Sequence, residues 1–254
     1  MKHLAWRGTV AGVSNALMFT GVYPLVPHAY RARGGVKAAL GEWAASLAVS
    51  LARPLGFLKL PSGHGPRPVI VLHGYAMNRA NFYPLARRLR AANLGPVFGF
   101  EYWTLGRIAA GARQLGWFVD EVRETTGAAE VDIIGHSMGG VVARYYVTLA
   151  GGDPHVHRLI TLGSPHAGTD MGKLGIGHPA RELVLGSKLV TRLAAATPPS
   201  HAKITTILSR ADALVPADGQ PDVAGAERIV FDDLGHVTLL TSKRVAAEII
   251  QRIA

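Results

Sequence analysis

A serine in residues 135–139, which read Gly-His-Ser-Met-Gly, stands between a short apolar run and a helical pattern. A serine on a tight strand-to-helix turn has a strained backbone, and only small residues two positions before and after it leave room for the crossing chain. The turn raises the hydroxyl above a sheet and points the N–H groups of the helix N-terminus at it. Glycine-rich chains produce this motif by chance, but its place between a strand and a helix predicts that Ser137 is a nucleophile rather than an incidental turn residue.

A nucleophilic serine in acyl transfer needs two N–H donors for the oxygen that becomes negatively charged. Met138, the residue after the serine, is the candidate for one of these backbone donors. The apolar run 69–72 ends at His73-Gly74-Tyr75, where the glycine lets the loop approach closely. The backbone N–H of Tyr75 is the candidate for the second donor of this oxyanion hole.

The general base and its acidic partner are expected after the serine, in the order serine, acid, histidine that accompanies this motif. His236 is the only histidine beyond residue 210, so it is the candidate base. Asp212 follows a strand pattern at 204–208 and is the candidate that orients the histidine. Four further aspartates compete with it and are interpreted as solvated loop or strand-end residues: Asp218, Asp222, Asp232 and Asp233.

Three earlier histidines are candidate substrate-pocket residues: His73, His136 and His166. For His73, a buried structural role is favoured over a catalytic one. The chain contains no cysteine, which excludes disulfides, thiolate metal sites and a cysteine nucleophile. No cluster of metal ligands stands out in the sequence, so we expect neither a metal nor a cofactor.

Apolar runs alternate with helical patterns from residue 68 onwards, as in a mainly parallel sheet with helices on both faces. Strands are predicted at 69–72, 97–100, 131–134, 159–162, 204–208 and 228–231, and helices at 81–93, 107–126, 138–150 and 242–253. In open parallel sheets, binding sites gather at the carboxyl ends of the strands. The candidate nucleophile, acid, base and oxyanion loop all follow such ends.

The N-terminal segment is basic and apolar. Residues 1–68 carry eight Lys or Arg residues and one acidic residue, Glu42, which accounts for +7 of the net charge of +10. Because the rest of the chain is nearly balanced, this distribution favours contact with an anionic membrane surface over nucleic acid. Residues 9–29 contain no charged side chain, although an asparagine and two prolines argue against a membrane-spanning helix.

Five apolar residues then recur at helical spacing: Val36, Leu40, Trp43, Leu47 and Leu51. Two interpretations of this region remain open: an ordered helical extension packed on the domain, or a targeting or membrane element. We place the domain boundary near the Pro- and Gly-rich stretch 61–66. Residues 1–60 are then an apolar, basic helical extension and residues 61–254 the main domain, and a secreted or membrane-associated protein is favoured.

Five segments together resemble bacterial triacylglycerol lipases of lipase family I and related small carboxylesterases: His73-Gly74-Tyr75, Gly135 to Gly140, Gly163 to Thr169, Ser209 to Asp212, and Gly235-His236. The resemblance covers about residues 68–254 and keeps the order and rough spacing of the motifs. It implies an α/β-hydrolase fold with a nucleophile elbow and a small cap, formed by an insertion at about 169–199. It also implies that Ser137, His236 and Asp212 hydrolyse a lipid or another ester through an acyl-enzyme.

Departures from these lipases leave alternatives open. The extension 1–60 has no counterpart in the smallest lipases, and Gly135 stands where Bacillus lipases often carry alanine. The pair of Tyr75 and Met138 is similar to that of bacterial cutinases and polyester hydrolases, so polymer esters remain candidate substrates. An acyltransferase would use the same triad, whereas an inactive binding homologue or a membrane-docked scaffold would not. The segment 169–199 is alternatively an ordinary crossover helix packed on the sheet.

Overall fold

The structure is a computed structural model that describes residues 35–170 and 176–254. The uncharged run at 9–29 and the basic residues before position 35 lie outside the described residues, as does part of the expected cap. Within the described ranges, no helix is both long and apolar enough to cross a bilayer.

Strands and helices alternate along the chain. The strands are β1 (Val69–Leu72), β2 (Val97–Phe100), β3 (Val131–His136), β4 (Val156–Leu162), β5 (Lys203–Ser209) and β6 (Ala226–Phe231). The α-helices are α1 (Gly35–Ala52), α2 (Tyr83–Ala91), α3 (Ile108–Thr126), α4 (Met138–Leu149), α5 (His178–Glu182), α6 (Lys188–Ala194), α7 (Thr238–Thr241) and α8 (Lys243–Ile253). Short 3₁₀ turns add to them, among them Arg53–Phe57 after α1 and Arg79–Phe82 before α2.

The six strands form one sheet in the order β2-β1-β3-β4-β5-β6, and all five pairings are parallel. β1 and β3 are neighbours, with Leu72 opposite Gly135, and β3 ends with His136 opposite Leu162 of β4. The predicted architecture of a parallel sheet between helices is confirmed. This order brings the carboxyl ends of β1, β3 and β4 side by side, and those of β5 and β6 next to them.

Alternate residues of the strands face two separate apolar cores. On one face, Ile70 and Ile133 pack with residues of α3 and α4 such as Leu115 and Val142. On the other face, the neighbouring strand residues pack with α2 and α8, including Val71, Ile134, Leu85, Leu89 and Ile249. Burial on both faces explains why the strands read as continuous apolar runs in the sequence.

Element boundaries differ from the predicted ones mainly at the ends of strands. β3 and β4 each extend beyond the predicted runs, because polar residues such as His136 and His157 continue the ladder where apolarity stops. The predicted helix 81–93 is shorter and is preceded by a 3₁₀ turn. The predicted C-terminal helix begins at α8, where the Ser242 side chain accepts a hydrogen bond from the Val245 N–H and acts as an N-cap.

Helix α1 packs on the domain through a face that the periodicity did not indicate. The apolar residues at helical spacing are largely exposed: Leu40 by 61%, Trp43 by 47%, Leu47 by 37% and Leu51 by 71%. The opposite face is buried and contains Ala38, Glu42, Ala45, Ser46 and Val49. Of these, Ala45 and Val49 form a small apolar cluster with Met77 and Val237.

The segment after β4 has features of both a cap and a crossover helix packed on the sheet, the two interpretations given for residues 169–199. Leu183 and Leu193, from the region of α5 and α6, are buried in the same core as α3 and α4, as in a packed crossover. Ile176, in contrast, is exposed, and its backbone N–H and C=O both bond to the hydroxyl of Tyr75 (3.0 and 2.8 Å). This part of the segment therefore lies against the loop that follows β1.

Candidate active site

Ser137 lies on the turn between β3 and α4 with φ 54° and ψ −124°, a backbone conformation that residues other than glycine rarely adopt. A side-chain carbon at position 135 would lie 2.5 Å from the Gly140 Cα, and one at position 139 would lie 2.6 Å from the His73 carbonyl oxygen. The Ser137 N–H donates to the Leu162 carbonyl (2.8 Å), which fixes the turn to β4. Strain of this kind costs about 1–3 kcal/mol and is concentrated at functional sites.

Asp212 and His236 form a buried pair. The Nδ1–H of His236 donates to Asp212 Oδ2 at 2.7 Å, and both side chains are almost fully buried. The other carboxylate oxygen, Oδ1, accepts the backbone N–H groups of Leu214 and Val215, each at 2.8 Å. These bonds orient the carboxylate, so that the histidine tautomer with a proton on Nδ1 is favoured and Nε2 is left to accept a proton.

The pKa of His236 is raised by its surroundings. Burial favours the neutral ring and acts to lower the pKa, but the charge of Asp212, its hydrogen bond and the charge of Glu42 together outweigh burial. The imidazolium is therefore stabilised at this position. His236 is therefore neutral, and able to accept a proton, only at a higher pH than a histidine with an ordinary pKa.

The competing aspartates lie in surface ion pairs. Asp218 and Asp232 both bond Arg210. Asp222 bonds Arg228, and Asp233 bonds Arg244. Their placement agrees with the solvated loop interpretation, and among these five aspartates it is Asp212 that contacts His236.

The two predicted oxyanion donors lie on adjacent turns. A side-chain carbon at position 74 would lie 3.0 Å from the Ser137 Cβ, so the loop after β1 is in contact with the serine turn. Tyr75 follows this contact directly. Met138 is the first residue of α4 and has no acceptor for its N–H within the helix.

The three histidines predicted to line a pocket are all buried, and His136 contacts His236 of the Asp212–His236 pair. The His136 Nε2–H donates to the His236 carbonyl (3.0 Å), and the two rings are 4.6 Å apart. Burial, followed by the charge of His236, lowers the pKa of His136 well below its usual value, so this ring is neutral. His73 stacks on Tyr102 (4.8 Å), and its Nδ1–H donates to the Gly74 carbonyl (3.0 Å).

His166 belongs to a buried polar group with Thr161 and Arg144. Its Nε2 is 3.0 Å from the Thr161 hydroxyl, and burial, together with the charge of Arg144, lowers its pKa to about 3. Burial also lowers the pKa of Arg144, to about 10, while its guanidinium donates to the Leu193 carbonyl (2.8 Å). Arg144 was not predicted to be buried, because an arginine in a helical pattern usually lies on a solvated face.

Glu42 was also not predicted to lie near the site. Its carboxylate is buried and accepts the backbone N–H groups of Val237 (2.7 Å) and Thr238 (2.9 Å) and the Thr238 hydroxyl (2.6 Å). The sequence does hold one signal, since Glu42 is the only acidic residue among the first 100.

No group of three or more His, Asp or Glu side chains is arranged to hold a metal ion in the part of the chain that the structure describes. A cavity of about 310 Å³ lies between α3 and α4, beside Trp117 and Tyr146, and none of the candidate site residues lines it. The candidate site is therefore defined by its bonded side chains and turns rather than by this cavity.

Comparison with known sequences gives short, local matches. The family described as "PGAP1-like alpha/beta domain" matches residues 121–173. A triacylglycerol lipase of Pseudarthrobacter phenanthrenivorans is 40% identical over 57 residues, which are 22% of this chain and 17% of that lipase. A triacylglycerol lipase of Burkholderia plantarii is also 40% identical over 57 residues, 15% of its length. The chain thus matches less than a fifth of the length of these curated relatives.

Solved structures match a much larger part of the chain. The mature Bacillus licheniformis lipase BlEst2 superposes with a TM-score of 0.64 at 13% identity, over 76% of this chain and 94% of that lipase. The Paleococcus ferrophilus monoacylglycerol lipase gives a TM-score of 0.55 at 15% identity, over 75% and 95%. The protein has the α/β-hydrolase fold, and the predicted resemblance to lipases and esterases is confirmed.

Proposed function

We propose that the protein is a carboxylic ester hydrolase in which Ser137 is the nucleophile, His236 the general base and Asp212 the residue that orients the base. The observation that carries the proposal is the buried Asp212–His236 pair, 2.7 Å apart, in a fold that places a serine on a strained strand-to-helix turn. The local identity to triacylglycerol lipases and the fold shared with esterases support an ester as the substrate.

In the first half of the reaction, Ser137 Oγ attacks the ester carbonyl carbon while His236 Nε2 takes the hydroxyl proton. Asp212 accepts the Nδ1–H throughout and stabilises the imidazolium that forms. The backbone N–H groups of Tyr75 and Met138 donate to the carbonyl oxygen as it becomes an oxyanion. The oxyanion then collapses, the bond to the alcohol oxygen breaks, and the alcohol leaves with the proton from His236.

In the second half, water takes the place of the alcohol. His236 removes a proton from the water as the oxygen attacks the acyl carbon, and the same two N–H groups hold the second oxyanion. The bond to Ser137 Oγ breaks, Oγ regains the proton from His236, and the carboxylic acid leaves. An acyltransferase would differ only in the acceptor of the acyl group, and a polyester hydrolase only in the size of the substrate.

Hydrolysis of p-nitrophenyl esters with acyl chains from C2 to C16 tests the proposal. We expect release of p-nitrophenol from part of this series, and a single fluorophosphonate adduct per chain that mass spectrometry locates at Ser137. An acyltransferase would need an added alcohol to accept the acyl group, so the alcohol would raise the rate of nitrophenol release without any hydrolysis. We expect no such rise. Absence of turnover across the whole series, with no adduct at Ser137, would contradict the proposed function.

We further propose that the protein contacts lipid surfaces through the outer face of α1. Leu40, Trp43 and Leu51 are exposed on one side of this helix, and its buried face lies opposite. A helix that is apolar all round is normally covered on every side. The segment 1–68 also carries +7 of the net charge, and basic residues near an anionic lipid surface contribute about 1 kcal/mol each.

Substitution of the exposed side chains tests this surface proposal. The triple variant Leu40→Gln, Trp43→Gln, Leu51→Gln should bind phosphatidylglycerol vesicles at least about 100-fold more weakly, since each buried apolar side chain contributes about 1.5–3 kcal/mol. Its hydrolysis of soluble p-nitrophenyl acetate should stay close to wild-type. Trp117→Gln is the matched control, because Trp117 is exposed on α3. Equal vesicle binding by the triple variant and this control would contradict the proposal.

A further inference from the structure

Glu42 is an acidic side chain in an otherwise basic and apolar segment, and it is only 4% exposed. Its two carboxylate oxygens accept three hydrogen bonds, all from Val237 and Thr238, the residues that directly follow His236. A buried carboxylate is costly unless its charge is compensated by hydrogen bonds, so this contact fixes both α1 and the histidine loop.

We propose that Glu42 is a positioning residue for His236: it fixes the backbone that carries the imidazole and adds a negative charge near the ring. This inference rests on the proposed function, because it assigns Glu42 a part in the work of the general base.

The peptide unit between His236 and Val237 is held at both of its polar ends. Its carbonyl, that of His236, accepts the Nε2–H of His136 at 3.0 Å. Its N–H, that of Val237, donates to Glu42 Oε1 at 2.7 Å. Because the peptide unit is planar, these two bonds fix its orientation and with it the direction in which the His236 side chain leaves the backbone.

The glycine that precedes the histidine makes this approach possible. A side-chain carbon at position 235 would lie 2.3 Å from Glu42 Oε2, closer than any real contact. The Gly235-His236 sequence is therefore explained by the space that the Glu42 carboxylate requires.

The titratable groups that face His236 come from three elements. Asp212, after β5, bonds the ring directly, and Glu42, on α1, acts through its charge. His136, at the end of β3, is neutral. Two negative charges therefore oppose the effect of burial on the pKa of His236. The same charges stabilise the imidazolium that forms when Ser137 is deprotonated, which lowers the barrier of the chemical step.

Glu42→Gln is the decisive variant, because it keeps the size of the side chain and removes its charge. The amide also places an NH₂ group opposite a backbone or hydroxyl donor, which loosens the loop. We expect kcat to fall roughly 10- to 100-fold with little change in KM, as for a small displacement of a catalytic group. The acidic limb of the kcat profile should move to lower pH, because the pKa of His236 falls when one of the negative charges is lost.

The control is Glu124→Gln, the same chemical change at an exposed position of α3. The pKa of His236 should be measured by NMR titration of its ring in wild-type protein and both variants. We expect a lower pKa in Glu42→Gln and the wild-type pKa in Glu124→Gln. If Glu42→Gln lowers the melting temperature but keeps the wild-type pKa and kcat, Glu42 is only a structural cap and the inference is wrong.

If Glu42→Gln does not fold, Thr238→Val keeps the inference testable. This variant removes the hydroxyl donor to Glu42 and leaves the charge in place. We expect kcat to fall while the pKa of His236 stays as in wild-type, and an unchanged kcat would overturn the positioning role. The ring titration needs no ester, so a lack of ester hydrolysis in wild-type protein would count against the proposed function and not against the effect of Glu42 on His236.

Discussion

Replacement of Ser137 with alanine is expected to lower kcat/KM for ester hydrolysis by about a million-fold, as removal of the nucleophile does in a serine protease. Under the proposed mechanism no other group takes the place of Oγ, so the residual rate comes from substrate binding and the oxyanion donors alone. The variant should fold normally, because alanine keeps the Cβ that lies against the Gly74 backbone. Steady-state hydrolysis of the best p-nitrophenyl ester, together with thermal unfolding, measures both expectations.

Ser200→Ala is the control for this experiment, since Ser200 is exposed and its hydroxyl donates to Asp153 rather than to a residue of the proposed site. His236→Ala should match Ser137→Ala, and the double variant should be no slower than either single one, because the two residues act as one unit. Near wild-type hydrolysis by Ser137→Ala would show that another residue is the nucleophile.

Asp212→Asn is expected to lower kcat by about 10⁴-fold. Asparagine can keep an oxygen for the N–H groups of Leu214 and Val215, so the loop should retain its form. The amide then turns its NH₂ towards His236 Nδ1 and favours the tautomer with the proton on Nε2, which cannot accept a proton from Ser137. The loss of the negative charge also lowers the pKa of His236, so the activity that remains should have an acidic limb at lower pH.

Asp218→Asn and Asp232→Asn are the matched controls, because both carboxylates lie in exposed ion pairs with Arg210. Exposed ion pairs of this kind contribute little to the stability of the folded protein, so both variants should retain nearly full activity. Near wild-type turnover by Asp212→Asn, combined with loss of activity in one of the controls, would show that the acid was assigned wrongly.

Much of the fold from residue 68 onwards could be predicted from the sequence. The inner strands β1, β3, β4 and β5 are largely buried on both faces, which explains their apolar runs. The edge strand β2 was predicted with the same bounds that the structure shows. Asp212 and His236 were predicted as partners from their order in the chain, and the structure places them in contact. Their catalytic roles, like that of Ser137, remain predictions that the variants above test.

The packing of α1 could not be predicted. Both sides of this helix are apolar, so periodicity indicates a helix without indicating which face is buried. The choice depends on partners such as Met77 and Val237, which no local pattern connects with α1. The contacts of Glu42 were hidden for the same reason, since an isolated acidic residue in a helix reads as a solvated one.

The contact between Glu42 and Val237 joins positions 195 residues apart, so it belongs to the class of contacts that form late. A ribosome adding 5–20 residues per second needs roughly 10–40 s to pass from the first position to the second. During that interval the Glu42 carboxylate has none of the donors that it bonds in the folded protein. We therefore expect the Glu42 side of the nascent helix to remain hydrated until the histidine loop is synthesised. The hydrogen bonds that dock Glu42 of α1 can form only after the segment that carries the proposed general base has emerged from the ribosome.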